Sequence, residues 1–164
     1  MDNRLVNQSA IVGGVVAALM DSLPYIKFIN ACCCLGIVLG GFAAFFYYRS
    51  QSPNEPEEFR MSGLVHLGLI TGIVGAIASF IAHYIVFKMV GNWDIEFLKN
   101  MMDKLEEFPP LWDELYEELE SGKYDGFAGP IILVQSLIVF PIFTFIGVVL
   151  GNKFLGNAFK KPQA

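Results

Sequence analysis

The stretch SGLVHLGLITGIVGAIASFIAHYIVF, residues 62–87, contains no lysine, arginine or carboxylate, and its reading decides the fold class. A helix needs roughly 20 mostly apolar residues, rising about 1.5 Å each, to cross the hydrocarbon of a bilayer. Ser62–Phe87 meets that requirement, and so do Leu5–Leu23, Phe28–Tyr48 and Pro130–Leu150. The chain therefore reads as an all-α, polytopic integral membrane protein, with four transmembrane helices in two hairpins. Its 164 residues make one membrane domain, 1–164, with no room for a separate soluble one. Composition agrees, at 54% hydrophobic and 16% charged residues. The first stretch is expected to be a retained helix rather than a signal peptide. Asp2 accompanies Arg4 ahead of it, and no small-x-small cleavage site precedes Asp21.

The charges are segregated. Residues 88–130 hold four lysines against eleven carboxylates, a net −7, which leaves +2 for the rest of a chain whose total is −5. No basic patch exists to neutralise a nucleic-acid backbone, so nucleic acid is not an expected partner. With four spans, both termini share one side with the 50–61 connection, and that side carries Arg4, Arg49, Arg60, Lys153, Lys160 and Lys161. The other side carries Lys27 and lysines diluted among acids. Basic residues near span ends favour the cytoplasm, which puts the N- and C-termini there and the acidic connection outside.

The connections differ in kind. Pro24 cannot continue a helix and biases Leu23 away from helical geometry, predicting a tight turn between the first two spans. Between the third and fourth spans, Ile95, Leu98, Met101, Met102, Leu105 and Phe108 recur at the spacing of one helical face. Pro109 and Pro110 stop that run, and Leu111, Trp112, Leu115, Tyr116 and Leu119 form a second apolar face opposite acids. Segment 93–122 thus reads as two short amphipathic helices outside the membrane, either capping the other helices or docking a partner.

Within the spans, small residues recur every four positions: Ala10/Gly14/Ala18, Gly36/Gly40/Ala44, Gly68/Gly72/Ala76 and Gly147/Gly151. In lipid such strips let backbones approach closely, so they are expected to pack the helices, with homo-oligomerisation through Gly147 and Gly151 as the alternative. The motif at Gly36–Gly40 is echoed at Gly147–Gly151, but at a different depth, and such five-residue patterns recur readily by chance in apolar helices. Halves related by a twofold axis along the membrane normal are the alternative reading. Cys32, Cys33 and Cys34 are consecutive; on a helix their side chains point about 100° apart and cannot converge on one metal. Buried small thiols are the expected reading, with redox chemistry the alternative. His66 and His83 are seventeen residues apart in one span, about 25 Å along its axis, and cannot share a ligand. His83 and Asp21 are candidate functional residues because intramembrane ionisable groups are costly to keep; Asp21 is expected near Lys27. Pro141 withdraws a donor from the Leu137 carbonyl and should kink the fourth helix. No residue set supplies a nucleophile with its base, or a phosphate-cradling loop, so neither enzyme, metal site nor cofactor is expected.

The stretch Leu23-Pro24-Tyr25-Ile26-Lys27-Phe28-Ile29-Asn30-Ala31-Cys32-Cys33-Cys34-Leu35, with Gly40-Gly41 before an aromatic helix end and Phe140-Pro141 through Gly151, resembles a group of small four-span bacterial membrane proteins of unknown function. The resemblance covers most of the chain except residues 93–123. It implies a multi-pass protein of the bacterial cytoplasmic membrane and carries over no activity and no site residues.

The function expected from the sequence is that of a non-enzymatic accessory or scaffold subunit engaging a membrane-protein partner through the acidic outer helices. The alternative is a small transport or channel unit built from two helical-hairpin repeats. A pathway should gather Asn7, Gln8, Asp21, Thr71, Ser79, Gln135, Ser136 and Thr144 on inward faces, whereas a scaffold should leave them scattered.

Overall fold

The computed structural model describes residues 3–23, 30, 34–52, 61–90, 117 and 125–155. Among these residues four helices are delimited: α1 (Asn3–Ser22), α2 (Leu35–Gln51), α3 (Met61–Val90) and α4 (Asp125–Leu155). Three of them, α1, α3 and α4, are long and apolar enough to cross a membrane. The amphipathic segment 93–122, the Pro24 turn and Cys32 and Cys33 lie outside the described residues, apart from a helical, exposed Glu117.

The helices are patterned inside out. Along α3 the exposed residues include Val65, Leu69, Ile73, Ile77 and Ile81, spaced by four. Gly68, Gly72 and Ala76 on the same helix are buried. In α1, Ile11, Val15 and Leu19 are exposed while Ala10, Gly14 and Ala18 are buried, and in α4 Val134, Ile138, Ile142 and Ile146 are exposed. Large apolar side chains outside and small ones inside suit a solvent of hydrocarbon, where packing rather than water exclusion draws helices together.

α1 packs against α2 and α3, and α4 packs against the same two, so α2 and α3 meet only lightly across a diagonal. The closest approaches give the directions. A Cβ placed at Gly13 would lie 2.5 Å from that of Ala44, and one at Gly36 would lie 2.7 Å from that of Met20, so α1 and α2 run antiparallel. Gly68 faces Phe145 and Gly75 faces Phe140, so α3 and α4 are antiparallel as well. Gly14 faces Val74 and Gly75, which makes α1 and α3 parallel neighbours. This ring order is incompatible with the alternative reading of the glycine echo, a twofold relation between halves. Rotation by half a turn about a central axis places equivalent helices on diagonals, yet α1 and α3 are adjacent, as are α2 and α4.

Two clusters form the interior. Val6, Ala44, Phe45, Tyr48, Leu64, Leu67 and Val148 fill one end, and Ala17, Ile37, Ala76 and Phe140 fill the other. Between them the backbones touch: a Cβ at Gly41 would collide with the Thr144 carbonyl oxygen, and one at Gly147 with that of Val38. The Gly147 face that homo-oligomerisation would use is therefore occupied by α2. Pro141 is buried and sits against Gly72, while α4 continues through it as one helix. The Thr144 hydroxyl lies 2.8 Å from the Gly68 carbonyl oxygen, 2.7 Å from that of Phe140 and 3.3 Å from that of Pro141. Its single hydrogen can be shared between its own helix and α3.

The second helix starts later than its apolar run. Phe28–Tyr48 is the expected span, but α2 begins at Leu35 because Cys34 holds φ 54 and ψ 29, the left-handed region. The Cys34 N–H donates to the Asn30 carbonyl at 2.9 Å, and the Cys34 carbonyl accepts from Ile37 and Val38. This conformation costs a non-glycine residue about 1 kcal/mol. With 17 residues, α2 reaches about 25 Å, short of the roughly 30 Å hydrocarbon core.

Gly41→Ala should destabilise the protein by about 3 kcal/mol, because backbone cannot move aside for the added methyl. Gly75→Ala, whose nearest neighbour is the buried Phe140 ring rather than backbone, should cost less, about 1–2 kcal/mol. Reversible unfolding in mixed micelles measures both, and equal losses would contradict this account of the contacts.

Candidate functional site

At the end of the molecule where α1 finishes, five polar side chains converge: Asp21 and Ser22 from α1, Asn30 ahead of α2, and Ser79 and His83 from α3. The parallel register of α1 and α3 brings the last turn of one beside the last three turns of the other. Asp21 Oδ1 accepts from Asn30 Nδ2 at 3.0 Å, and Asp21 Oδ2 accepts from the Ser79 hydroxyl at 2.6 Å. His83 Nδ1 lies 3.0 Å from the Ser79 carbonyl, 3.2 Å from Ser79 Oγ, 3.4 Å from Ser22 Oγ and 4.0 Å from Asp21 Oδ2. A carbonyl can only accept, so the geometry assigns the hydrogen to Nδ1, donating back along its own helix. The His83 and Asp21 side chains are 24% and 19% exposed, half-wet at the rim of the helices.

The composition of this cluster invites comparison with a Ser-His-Asp catalytic set, but the arrangement is different. A triad needs the serine on one ring nitrogen and the carboxylate on the other, so that the base is oriented while it works. Here both serines and the carboxylate face the same nitrogen, Nδ1, which is already a donor. The chain of contacts runs instead from imidazole to Ser79 to Asp21, joining α1 to α3 through charge-assisted hydrogen bonds. Among the described residues no group of three or more His, Cys, Asp or Glu is placed to hold a metal ion.

Asp21 and His83, which the sequence singled out separately, thus belong to one cluster. The expected partner of Asp21, Lys27, lies outside the described residues, as do Cys32 and Cys33. Cys34 is half-buried at the start of α2, outside the helix on which its side-chain direction was reckoned. Pro141 is remote from the cluster, against Gly72, which precedes Ser79 by about 10 Å along α3. Gly36 and Gly40 line the α1 contact, with Gly36 pressed on Asn30 and Met20. Sequence reasoning missed Asn30 and Ser22, neither of which stands out as a polar residue near a turn. It also missed Arg49, counted as a flanking charge but only 4% exposed. His66 is exposed on the outer face.

Among the described residues the remaining polar side chains do not form a path. Asn7, Gln8 and Gln135 face outward, and Ser136 is half-exposed. Thr71 and Ser9 are buried, but each hydroxyl donates to a carbonyl one turn back in its own helix, Leu67 at 2.7 Å and Leu5 at 2.8 Å. No family model, no curated protein and no solved structure matches the chain.

Ser79→Ala should cost about 1–2 kcal/mol, since it leaves a carboxylate oxygen short of its donor. Paired with Asp21→Asn in a double-mutant cycle, it should show a coupling above about 0.5 kcal/mol, and strict additivity would mean that the two side chains do not interact.

Proposed function

We propose that this chain crosses the bacterial cytoplasmic membrane four times, as two hairpins forming a helical bundle, with both termini in the cytoplasm. In this reading it is a non-enzymatic accessory or scaffold subunit that engages a membrane-protein partner through its acidic segment, 93–122. The observation that carries the reading is the interior: helices in backbone contact at Gly41, Gly72 and Gly147, with buried hydroxyls returned to carbonyls and, among the described residues, no polar path between the ends. A protein so closed has its outer surfaces left for function. One of these is unusual, because residues 93–122, with amphipathic helical spacing, hold ten carboxylates against two lysines, a net −8. Lipid cannot supply the attraction, since anionic headgroups favour lysine and arginine. The resemblance to small four-span bacterial membrane proteins is consistent with the location.

A second reading, a small transport unit, is favoured by one observation: the Asp21–Ser79–His83 chain of hydrogen bonds at the membrane rim. Groups of this kind relay protons in pumps and transporters. Its weakness is the inward continuation, which the small-residue contacts close.

Tagged protein purified in mild detergent should retain a stoichiometric membrane partner, and deletion of residues 94–122 should release it while leaving the remainder monodisperse. A full chain with no partner, or a deletion that abolishes folding, would overturn the docking role. In liposomes the protein should give no proton or cation flux above the protein-free level. Flux that Asp21→Asn abolishes would establish the second reading instead.

A further inference from the structure

Arg49 occupies the last turn of α2 and is 4% exposed, with Nε and Nη1 enclosed and without a hydrogen-bond partner. Leaving two nitrogens of a buried guanidinium without an acceptor is costly, and more so at the end that holds the apolar cluster of Tyr48, Phe45, Leu64 and Val148. The helix directions place two other cations there, Arg4 in the first turn of α1 and Lys153 in the last turn of α4. Both carboxylates belonging to the four helices, Asp21 and Asp125, fall toward the opposite end. The unmet demand is therefore for an oxyanion, in a region where positive charge gathers at the end of an apolar span.

We infer that Arg49 is the centre of a phosphate-binding site, taking the phosphate oxygens of an anionic phospholipid headgroup at the basic end of the helices. A planar guanidinium presents its donors in a fixed fork to phosphate oxygens, a fit that an ammonium cannot reproduce, and Nε and Nη1 are the two nitrogens here without a partner. Its long apolar stem lets the charged head swing from the enclosed position to the boundary, where headgroups lie, while the methylenes remain among Tyr48 and its neighbours. Arg4 and Lys153 add positive potential around the anion without having to touch it. The inference requires only that the helices sit in a membrane, and is independent of the scaffold role.

The test uses full-length protein in mild non-ionic detergent, stripped of endogenous lipid and titrated with phosphatidylglycerol, phosphatidylcholine or inorganic phosphate while thermal unfolding is followed. Phosphatidylglycerol should raise the midpoint by roughly 5 °C. Arg49→Met should lose that rise, and Arg49→Lys should need about tenfold more lipid to reach it. An Arg49-dependent rise with inorganic phosphate as well assigns a free anion as a ligand; a rise with lipid alone assigns the headgroup. The site is overturned by no rise, by an equal rise in Arg49→Met, or by an equal rise with phosphatidylcholine. It is also overturned if Glu55→Gln/Glu57→Gln/Glu58→Gln abolishes the rise and destabilises the protein as Arg49→Met does, since the acceptor is then a carboxylate of the chain. Should Arg49→Met not accumulate, native mass spectrometry decides: one phosphatidylglycerol retained on the wild type and none on Arg49→Lys supports the site, and equal retention refutes it.

Discussion

The contact on which the rest depends is that of backbone against backbone at Gly41, Gly72 and Gly147. In water, helices are driven together by their apolar faces. In hydrocarbon that drive is absent, and adhesion must come from dispersion over close surfaces and from a few polar links. Removing the side chain at Gly41 lets α2 reach the Thr144 carbonyl, and removing it at Gly72 lets α3 meet Pro141. Thr144 then supplies a hydroxyl within reach of Gly68 on α3 as well as Phe140 on its own helix. The α3–α4 seam therefore combines the closest approach with a side-chain hydrogen bond to backbone across the helices.

The same constraint sets where polarity is tolerated. Near the middle of the helices the buried hydroxyls are short and already satisfied by carbonyls one turn back, so they bring no unmet demand into the interior. Groups that cannot satisfy themselves are moved to the ends. Asp21, Ser79, His83 and Asn30 cooperate at one end, where partial exposure lowers the cost of the carboxylate. At the other end Arg49 is enclosed with its demand unmet. One end thus holds a charge with its donors, and the other a charge still awaiting acceptors.

Much of this was legible in the sequence for a simple reason: long apolar runs and four-residue spacings are properties of single helices. The extents of α1, α3 and α4 and the small-residue strips follow from them. What sequence periodicity does not encode is the register of one helix against another. Asp21 and His83 were each conspicuous, but their meeting through Ser79 depends on α1 lying parallel to α3. The ring order also escaped, and the short glycine echo suggested a symmetry that the adjacency of α1 and α3 excludes. The late start of α2 turns on the single dihedral of Cys34, a residue with no particular preference for positive φ. Arg49 sits where a charge next to a polar connection ordinarily meets water, so its enclosure gives no sign in the chain.

The brevity of α2 reaches beyond the protein. A 17-residue helix stands between α1 and α4, the latter of 31 residues, so the apolar girdle is uneven around the perimeter. In a bilayer, lipid beside Leu35–Gln51 would thin or splay its chains, whereas α3 and α4 would tilt or protrude. Such mismatch costs fractions of a kcal/mol per ångström, enough to enrich short-chain or disordered acyl tails at one side of the molecule. The surrounding annulus would then be asymmetric in composition, and the protein would concentrate in thinner regions of its membrane.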